Sequence, residues 1–387
     1  THNIGGNCVE IYAEGNRVLF DFGLPLESIQ EHKSPKAYRV PVRGVYREQT
    51  PQINALFLTH AHPDHYGLLT ELHPQIPVYA SQTTINLLQH IAPLFGKHLE
   101  HLHFRVLRPK QTVCIGKIRV KAIPVDHSVP EALAYQVNIG NIKILYTGDL
   151  RNHGKCAYLT KYFARCVSPD YMLMEGTTLS RVQMHTDTED MLQKRLEQAF
   201  SGDGLSLIYF SAQNLDRFVS VYKAARRLNK TLVLDPYSCF VLEQFAHLGK
   251  SIPQWNWKNI RVYFAKNTLT DHLKPHLSTY KSKKISIQEI INTPHQFIIK
   301  DNFSIRQKLL RHSVSLRFIH SAWEGYLTQE ANSFARNAKE RNQEAHTLHT
   351  SGHADFDSLY RLVQQIRPKL LIPIHTNCAE SYQALFK

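Results

Sequence analysis

The 387-residue chain has little cysteine, no long apolar run and a deficit of acidic residues. Its six cysteines, Cys8, Cys114, Cys156, Cys166, Cys239 and Cys378, are scattered and form no C-x-x-C pair. That excludes a structural zinc ribbon and a disulfide scaffold, and leaves the expectation of reduced, mostly buried thiols in a cytoplasmic protein. No apolar run approaches the ~20 residues a membrane helix needs, so no membrane is expected, and no signal peptide is visible. The sequence opens without a methionine, so the lack of a leader excludes little. No internal repeat or low-complexity tract argues for a solenoid or a disordered array. Against 32 Asp and Glu stand 46 Lys and Arg, a net charge of +14. A balance that basic fits a polyanionic partner, nucleic acid or an acidic membrane surface, and charge alone fits a merely solvated basic face equally well.

The chain changes grammar twice. Up to about residue 175 it reads as short β-branched and aromatic runs bounded by Gly, Pro, Asn or Asp. These include "CVEIYA", "RVLFDFG", "INALFLTH", "IPVYAS", "KIRVKAIPVDH", "YQVNI", "NIKILYTGD" and "YMLMEG". From there strands alternate with helical patterns. "TDTEDMLQKRLEQAF" opens with a Thr cap and early acids. Then come "LSLIYF", "NLDRFVSVYKAARRL", "TLVLD", "CFVLEQFAHLG", "RVYFA", "QFIIK", "SLRFIHS" and "TQEANSFARNAKER". Such alternation predicts a parallel, doubly wound sheet. A last strand–helix–strand, "HTLHTSGH", "FDSLYRLVQQI" and "KLLIPIHTN", ends the chain. Residues 176–345 carry 24 Lys and Arg against 15 Asp and Glu, so most of the excess positive charge lies there. The run "YKSKK" within it reads as a solvated loop, and the aromatic run "WNWK" as packing.

The stretch "LTHAHPDHYG" puts His60, His62, Asp64 and His65 within six positions, just after the apolar run "INALFL". In a loop that ends a strand, imidazoles two apart can converge on one cation while the Asp-His pair turns toward a second. Neutral imidazole and carboxylate suit zinc or manganese without any thiolate. One histidine is ordinarily a satisfied surface or core residue; four ligand-type side chains in six positions are not explained that way. His127, Asp149 and His375 each end a further apolar strand. A carboxylate such as Asp149 can bridge two ions. Taken singly, Gly148-Asp149 could be turn chemistry and Asp126-His127 local capping.

The H-x-H-x-D-H loop, His127, "TGD" and "LFDFG" with Asp21 resemble the metallo-β-lactamase fold. "MLMEGTT" with Glu175, "HTSGHAD" with His353 and "PIHTN" with His375 resemble the further motifs of its β-CASP nuclease subgroup, closest to ribonuclease J-like RNA nucleases of bacteria and archaea. The resemblance implies an αββα sandwich interrupted by a Rossmann-like α/β (β-CASP) domain. Residues 1–178 and 346–387 would form the sandwich and 179–345 the insert. It also implies that His60, His62 and His127 hold one divalent ion and Asp64, His65 and His375 another, with Asp149 bridging and Asp21 orienting ligand histidines. Two zinc ions, or manganese, about 3.5–4 Å apart would polarise a phosphate and generate hydroxide near neutral pH. Asp64 would orient the nucleophile. His353 would serve the departing oxygen as acid, backed by Glu175. "FSAQNLDRF" makes Ser211, Asn214 and Arg217 candidate contacts to the nucleic-acid backbone, with helix capping and an exposed charge as the plain alternative. Tyr237 is a candidate for base stacking.

The expected activity is hydrolysis of single-stranded RNA, internally or from the 5′ end, because RNA-type members resemble this chain in having a histidine at the last motif. A DNA nuclease of the same fold is the alternative, then a small-molecule metallo-hydrolase, then a non-catalytic scaffold that would have lost ligands. The sequence ends right after the last motif, without the C-terminal domain associated with oligomerisation in full ribonuclease J. A homodimer therefore stays open.

Overall fold

Among the described residues lie seventeen strands in three sheets, most of them on those short apolar runs. The structure, a computed structural model, describes residues 3–26, 34–181, 186–265, 273–323 and 333–386. It divides into two units, Thr1–His185 with Gly352–Lys387, and Thr186–Ser351.

In the first unit, β1 (Val9–Ala13), β2 (Asn16–Phe20), β3 (Ala55–Phe57), β4 (Val78–Ala80) and β5 (Phe104–Val106) lie side by side in sequence order. β1 and β2 are antiparallel, and the remaining pairs are parallel. A second sheet holds β6 (Thr112–Ile115), β7 (Ile118–Pro124), β8 (Leu133–Ile139), β9 (Ile142–Tyr146) and β10 (Tyr171–Glu175). The run from β6 to β9 is an antiparallel meander, whereas β10 pairs parallel with β9. β5 and β6 are not among the expected strands; both are short and half exposed, so no apolar run marks them.

The second unit holds β11 (Leu205–Tyr209), β12 (Thr231–Leu234), β13 (Ile260–Val262), β14 (Phe297–Lys300), β15 (Leu316–His320) and β16 (His346–Thr347). They form one sheet in the order β13-β12-β14-β11-β15-β16, parallel throughout. The chain then returns through the Phe356–Ile366 helix to β17 (Leu370–Ile374), which completes the second sheet beside β10.

Period-two patterning sets the layers. Ile118, Val120 and Ala122 of β7 are buried while Arg119 between them is exposed. With Phe20, Phe57, Tyr79, Tyr135 and Tyr146 they fill the space between the two sheets of the first unit. Rings there stack: Phe57 lies 5.5 Å from Phe20 and 5.0 Å from Tyr79. Such pairs add about 0.5–1.5 kcal/mol each beyond the area they bury. The opposite face of the first sheet packs Leu56, Leu58 and Val78 on Ile85 and Leu88. The opposite face of the second packs Leu145, Met172 and Met174 on Phe163 of the Ala157–Cys166 helix and on Leu359, Leu362 and Val363. Helix, sheet, sheet, helix is the αββα order.

In the second unit, Thr188, Asn214 and Asp235 cap the helices Glu189–Phe200, Leu215–Arg227 and Pro236–Gln244. The helix expected from Thr328 is described from Ser333 to Glu340, and its expected beginning lies outside the described residues. Both divisions fall later than the expected 178/179 and 345/346. At the second, β16 pairs with β15 and so joins the insert's sheet, although its sequence reads as part of the return. The expected burial of thiols holds for Cys239 alone; Cys114 and Cys166 are exposed and the other three are half-buried. The "WNWK" tryptophans pack on Tyr222 and Tyr280.

Candidate metal centre

The ligand-type side chains sit where strands end. β2 delivers Asp21, β3 the His60–His65 loop, β7 His127, β9 Asp149, β10 Glu175 and β17 His375. Two of these turns use the left-handed backbone region, at Asp21 (φ 58°) and His375 (φ 48°). Such conformations cost of order 1–3 kcal/mol and persist only where the surroundings over-determine them. Gly148 (φ 55°) precedes Asp149, and a Cβ there would meet Thr59 Cγ2 at 2.6 Å.

Backbone bonds lock the histidine loop. Asn7, Phe22 and Leu24 donate their N–H groups to the carbonyls of Asp64 (3.1 Å), His65 (2.7 Å) and Pro63 (3.1 Å). The approach is so close that a Cβ on Gly23 would fall 1.7 Å from the Asp64 carbonyl oxygen. Pro63 opens the short helix Pro63–Tyr66, which places Asp64 in its first turn and His62 at its cap.

His60, His62, His127 and Asp149 form one group whose ligand atoms all lie within 4.8 Å of one another; Asp64, His65, Asp149 and His375 form a second. In the first, His62 Nδ1 lies 2.9 Å from His60 Nε2 and 3.3 Å from His127 Nε2. Burial and the neighbouring rings hold His60 and His127 well below the ordinary histidine range, and burial pushes His62 down to about 4. They are neutral imidazoles, the form that binds metal. In the second group, His375 Nε2 is 3.0 Å from Asp64 Oδ2, and His65 Nε2 is 3.2 Å from Asp149 Oδ2. Burial would raise both carboxylates, but His65 and His375 outweigh it and hold them low.

Hydrogen bonds on the far side of each ring fix which nitrogen faces inward. His127 Nδ1 donates to the Gly352 carbonyl (2.7 Å). His65 Nδ1 donates to Asp21 Oδ2 (2.8 Å), and Asp21 also accepts the hydroxyls of Thr59 (2.9 Å) and Tyr146 (2.8 Å). Carboxylates and carbonyls only accept, so these nitrogens carry protons and the opposite nitrogens are the ones aimed at the centre. Imidazoles and carboxylates crowded together, with the buried Asp149 Oδ1 lacking a hydrogen-bond partner among the described residues, are what a divalent cation resolves. Bonds of 2.0–2.1 Å to one ion put its ligands about 3.3 Å apart, which these spacings accommodate. The donor set fits the implied ions.

A third group joins Glu175, His353, Asp149 and His375. His353 Nδ1 lies 3.0 Å from Glu175 Oε2. Burial pushes the ring down, but Glu175 and Asp149 more than offset it and bring His353 up to about 9. Leu150 N–H and the Thr177 hydroxyl anchor Glu175 at 2.8 and 2.7 Å.

The "FSAQNLDRF" stretch is placed differently from a backbone clamp. Arg217 is fully buried, paired with Glu189 (3.2 Å) and donating to Ser321 (2.6 Å) and the Thr350 carbonyl (3.2 Å). That geometry corrects the expectation for Arg217: its guanidinium is a strut of the insert and offers no face to a phosphate. Asn214 caps its helix, accepting from Arg217 N–H at 3.1 Å, and Ser211 remains exposed. Tyr237 is half-buried, and burial pushes its hydroxyl up.

Four supporting groups escaped sequence reasoning. Thr59 and Thr177 sit between carboxylates and ligand rings, and Asn7 Nδ2 lies 3.1 Å from His65 Nε2. A buried Arg151–Asp126 pair (3.4 Å) adjoins the turns bearing His127 and Asp149. Thr59 and Asp126 adjoin a candidate ligand in sequence, whereas Asn7, Thr177 and Arg151 carry no such signal.

Known proteins match this arrangement. Residues 16–200 match the family described as "Beta-lactamase superfamily domain", and residues 339–387 "Zn-dependent metallo-hydrolase RNA specificity domain". Ribonuclease J of Pyrococcus abyssi is 20% identical over 96% of this chain and 87% of its own length. Ribonuclease J of Mycobacterium tuberculosis is 34% identical over 59% of this chain and 42% of its own, and that of Sinorhizobium meliloti 34% identical over 26% and 18%. The chain thus spans less than half the length of the latter two. A crystal structure of a protein of unknown function from Enterococcus faecalis V583 superposes with TM-score 0.77 at 22% identity, covering 98% of this chain and 93% of that one. In its αββα fold, its strand-end histidines and these matches, the chain is similar to ribonuclease J proteins and carries a β-lactamase superfamily domain over residues 16–200.

Proposed function

We propose that the chain is a metal-dependent ribonuclease that hydrolyses phosphodiester bonds of single-stranded RNA. The convergence of two four-residue groups on a shared Asp149 carries the reading. His60, His62 and His127 would hold one ion, Asp64, His65 and His375 the other, and Asp149 both. Two divalent ions so held, zinc or manganese, would polarise a bound phosphate and lower the pKa of a water.

The chain's own residues do the rest. Asp64 would orient the attacking water, since its carboxylate is held ionised by His65 and His375. His353, kept protonated by Glu175, would give its proton to the departing oxygen. Asp21 would hold His65 in the tautomer that faces inward. Lys and Arg side chains of the insert would neutralise phosphates, so binding should weaken with salt. The RNA-specificity match and the ribonuclease J relatives support RNA over DNA. Among the described residues no helix is long and apolar enough to cross a membrane.

The test is a gel assay with matched single-stranded RNA and DNA, labelled at the 5′ end, in zinc or manganese. Preferential RNA cleavage is expected, and product lengths separate internal from terminal cutting. DNA cut equally well would overturn the RNA assignment. No cutting of either by protein holding two ions would overturn the nuclease reading.

A further inference from the structure

We propose that Thr177 is a positioning residue: it fixes the tautomer of His375 so that the ring's Nε2 lone pair faces the cation site shared with Asp64, His65 and Asp149. This deepens the metal reading above and rests on it. The Thr177 hydroxyl has one proton and three partners in range: Glu175 Oε2 at 2.7 Å, His375 Nδ1 at 2.7 Å and the His375 carbonyl at 3.4 Å. A bond to a carboxylate is charge-assisted and the strongest of the three, and the Thr177 N–H converges on the same oxygen at 3.3 Å. With its proton given to Glu175, the hydroxyl can only accept, so Nδ1 of His375 must carry a hydrogen. In the neutral ring Nε2 then bears the lone pair. It faces Asp64 Oδ2 at 3.0 Å, an acceptor against an acceptor, which a cation between them satisfies.

The first sheet repeats the device. The Thr59 hydroxyl lies 2.9 Å from Asp21 Oδ2 and 3.0 Å from His60 Nδ1. Each carboxylate therefore orients one ring directly and another through a threonine: Asp21 acts on His65 and His60, Glu175 on His353 and His375. Carboxylate–histidine partners of this kind are typically worth about 10–100-fold in metal affinity. Among the described residues Thr177 supplies the one hydrogen bond to His375 Nδ1, with Asp149 Oδ1 next at 3.7 Å, beyond hydrogen-bond reach.

The experiment uses the full chain, stripped with a chelator and titrated with zinc against a chromophoric competitor, beside proton–nitrogen spectra of histidine-labelled protein. The wild type should take up two ions, with His375 protonated on Nδ1. Thr177→Val should weaken one of the two ions by about 10–100-fold and leave the other unchanged, and Thr177→Ser should restore it. Thr177→Val binding both ions as tightly as wild type, or Thr177→Ser behaving like Thr177→Val, would overturn the proposal. So would a wild-type spectrum with His375 protonated on Nε2, which requires no variant to fold. Wild-type protein that takes up no zinc would instead overturn the metal reading beneath it.

Discussion

His127 Nδ1 donates to the main-chain carbonyl of Gly352, 2.7 Å away, across 225 residues of sequence. The bond turns the Nε2 lone pair of His127 toward His62 and stations His353, the next residue, beside the same centre. The orientation of the His127 ring and the placement of His353 thus share one contact.

The two groups of ligands make a first prediction. Asp64→Ala or His65→Ala should reduce cleavage to background while circular dichroism shows an intact fold, because each removes a donor from a shared site. Full activity in purified Asp64→Ala protein would sink the metal assignment.

Metal removal should be visible without any substrate. Ions that bind only the folded chain stabilise it by RT ln(1 + [L]/Kd), about 2.7 kcal/mol at a hundredfold excess over Kd. Chelated protein should therefore unfold at lower temperature, and zinc or manganese should restore the loss. An unchanged melting temperature, measured by calorimetry with and without chelator, would count against the site.

His353 is held protonated by Glu175, so His353→Ala should lower the rate of the chemical step by about 10²–10⁴-fold with RNA affinity nearly unchanged. Single-turnover kinetics and a filter-binding titration separate the two. An equal loss in both would assign His353 to binding.

Arg217 is a buried strut rather than a phosphate contact. Arg217→Met should leave Glu189 short of its counter-charge and cost about 3–5 kcal/mol. Denaturant melts should show the loss, while RNA affinity of the protein that remains folded stays close to wild type. A stable variant with weakened binding would reverse this conclusion.

The insert should be acid-sensitive. Burial, together with the nearby Arg217, holds His320 down to about 4 and His349 to about 3. The unfolded chain therefore binds more protons from about pH 6.5 downward. Stability from these two rings is complete above pH 6.5 and is lost as pH falls through the folded values. Asp301, which burial brings up to about 6, works in the opposite sense between pH 6 and 4 and offsets part of the loss. Among the described residues neither ring nitrogen of His320 has a hydrogen-bond partner, and the ring stacks on Tyr209 at 5.3 Å. His320→Phe should therefore narrow the difference in melting temperature between pH 7.5 and pH 5. An unchanged difference would show that His320 does not contribute.

The candidate ligand set was legible because "THAHPDH" and the strand-ending His127, Asp149 and His375 combine a chemical type with a local position. Each apolar run announces its strand, and each polar residue after it announces a strand end. Thr59, Thr177 and Asn7 were not legible: a threonine beside a ligand has no distinctive spacing, and its role depends on a carboxylate folded against it. Arg217 was misread for the same reason. A basic residue in the first turn of an amphipathic helix reads as exposed until Glu189, Ser321 and Thr350 are seen around it.

By itself, then, the sequence determined the short strands, the parallel insert and the residues able to bind a cation, since periodicity and side-chain chemistry are local properties; the αββα order followed from the family resemblance. The tertiary structure alone decided which nitrogen of each imidazole faces inward, which charges are buried as struts and where the insert ends. Those depend on hydrogen bonds between residues up to hundreds of positions apart, and no window of sequence contains both partners.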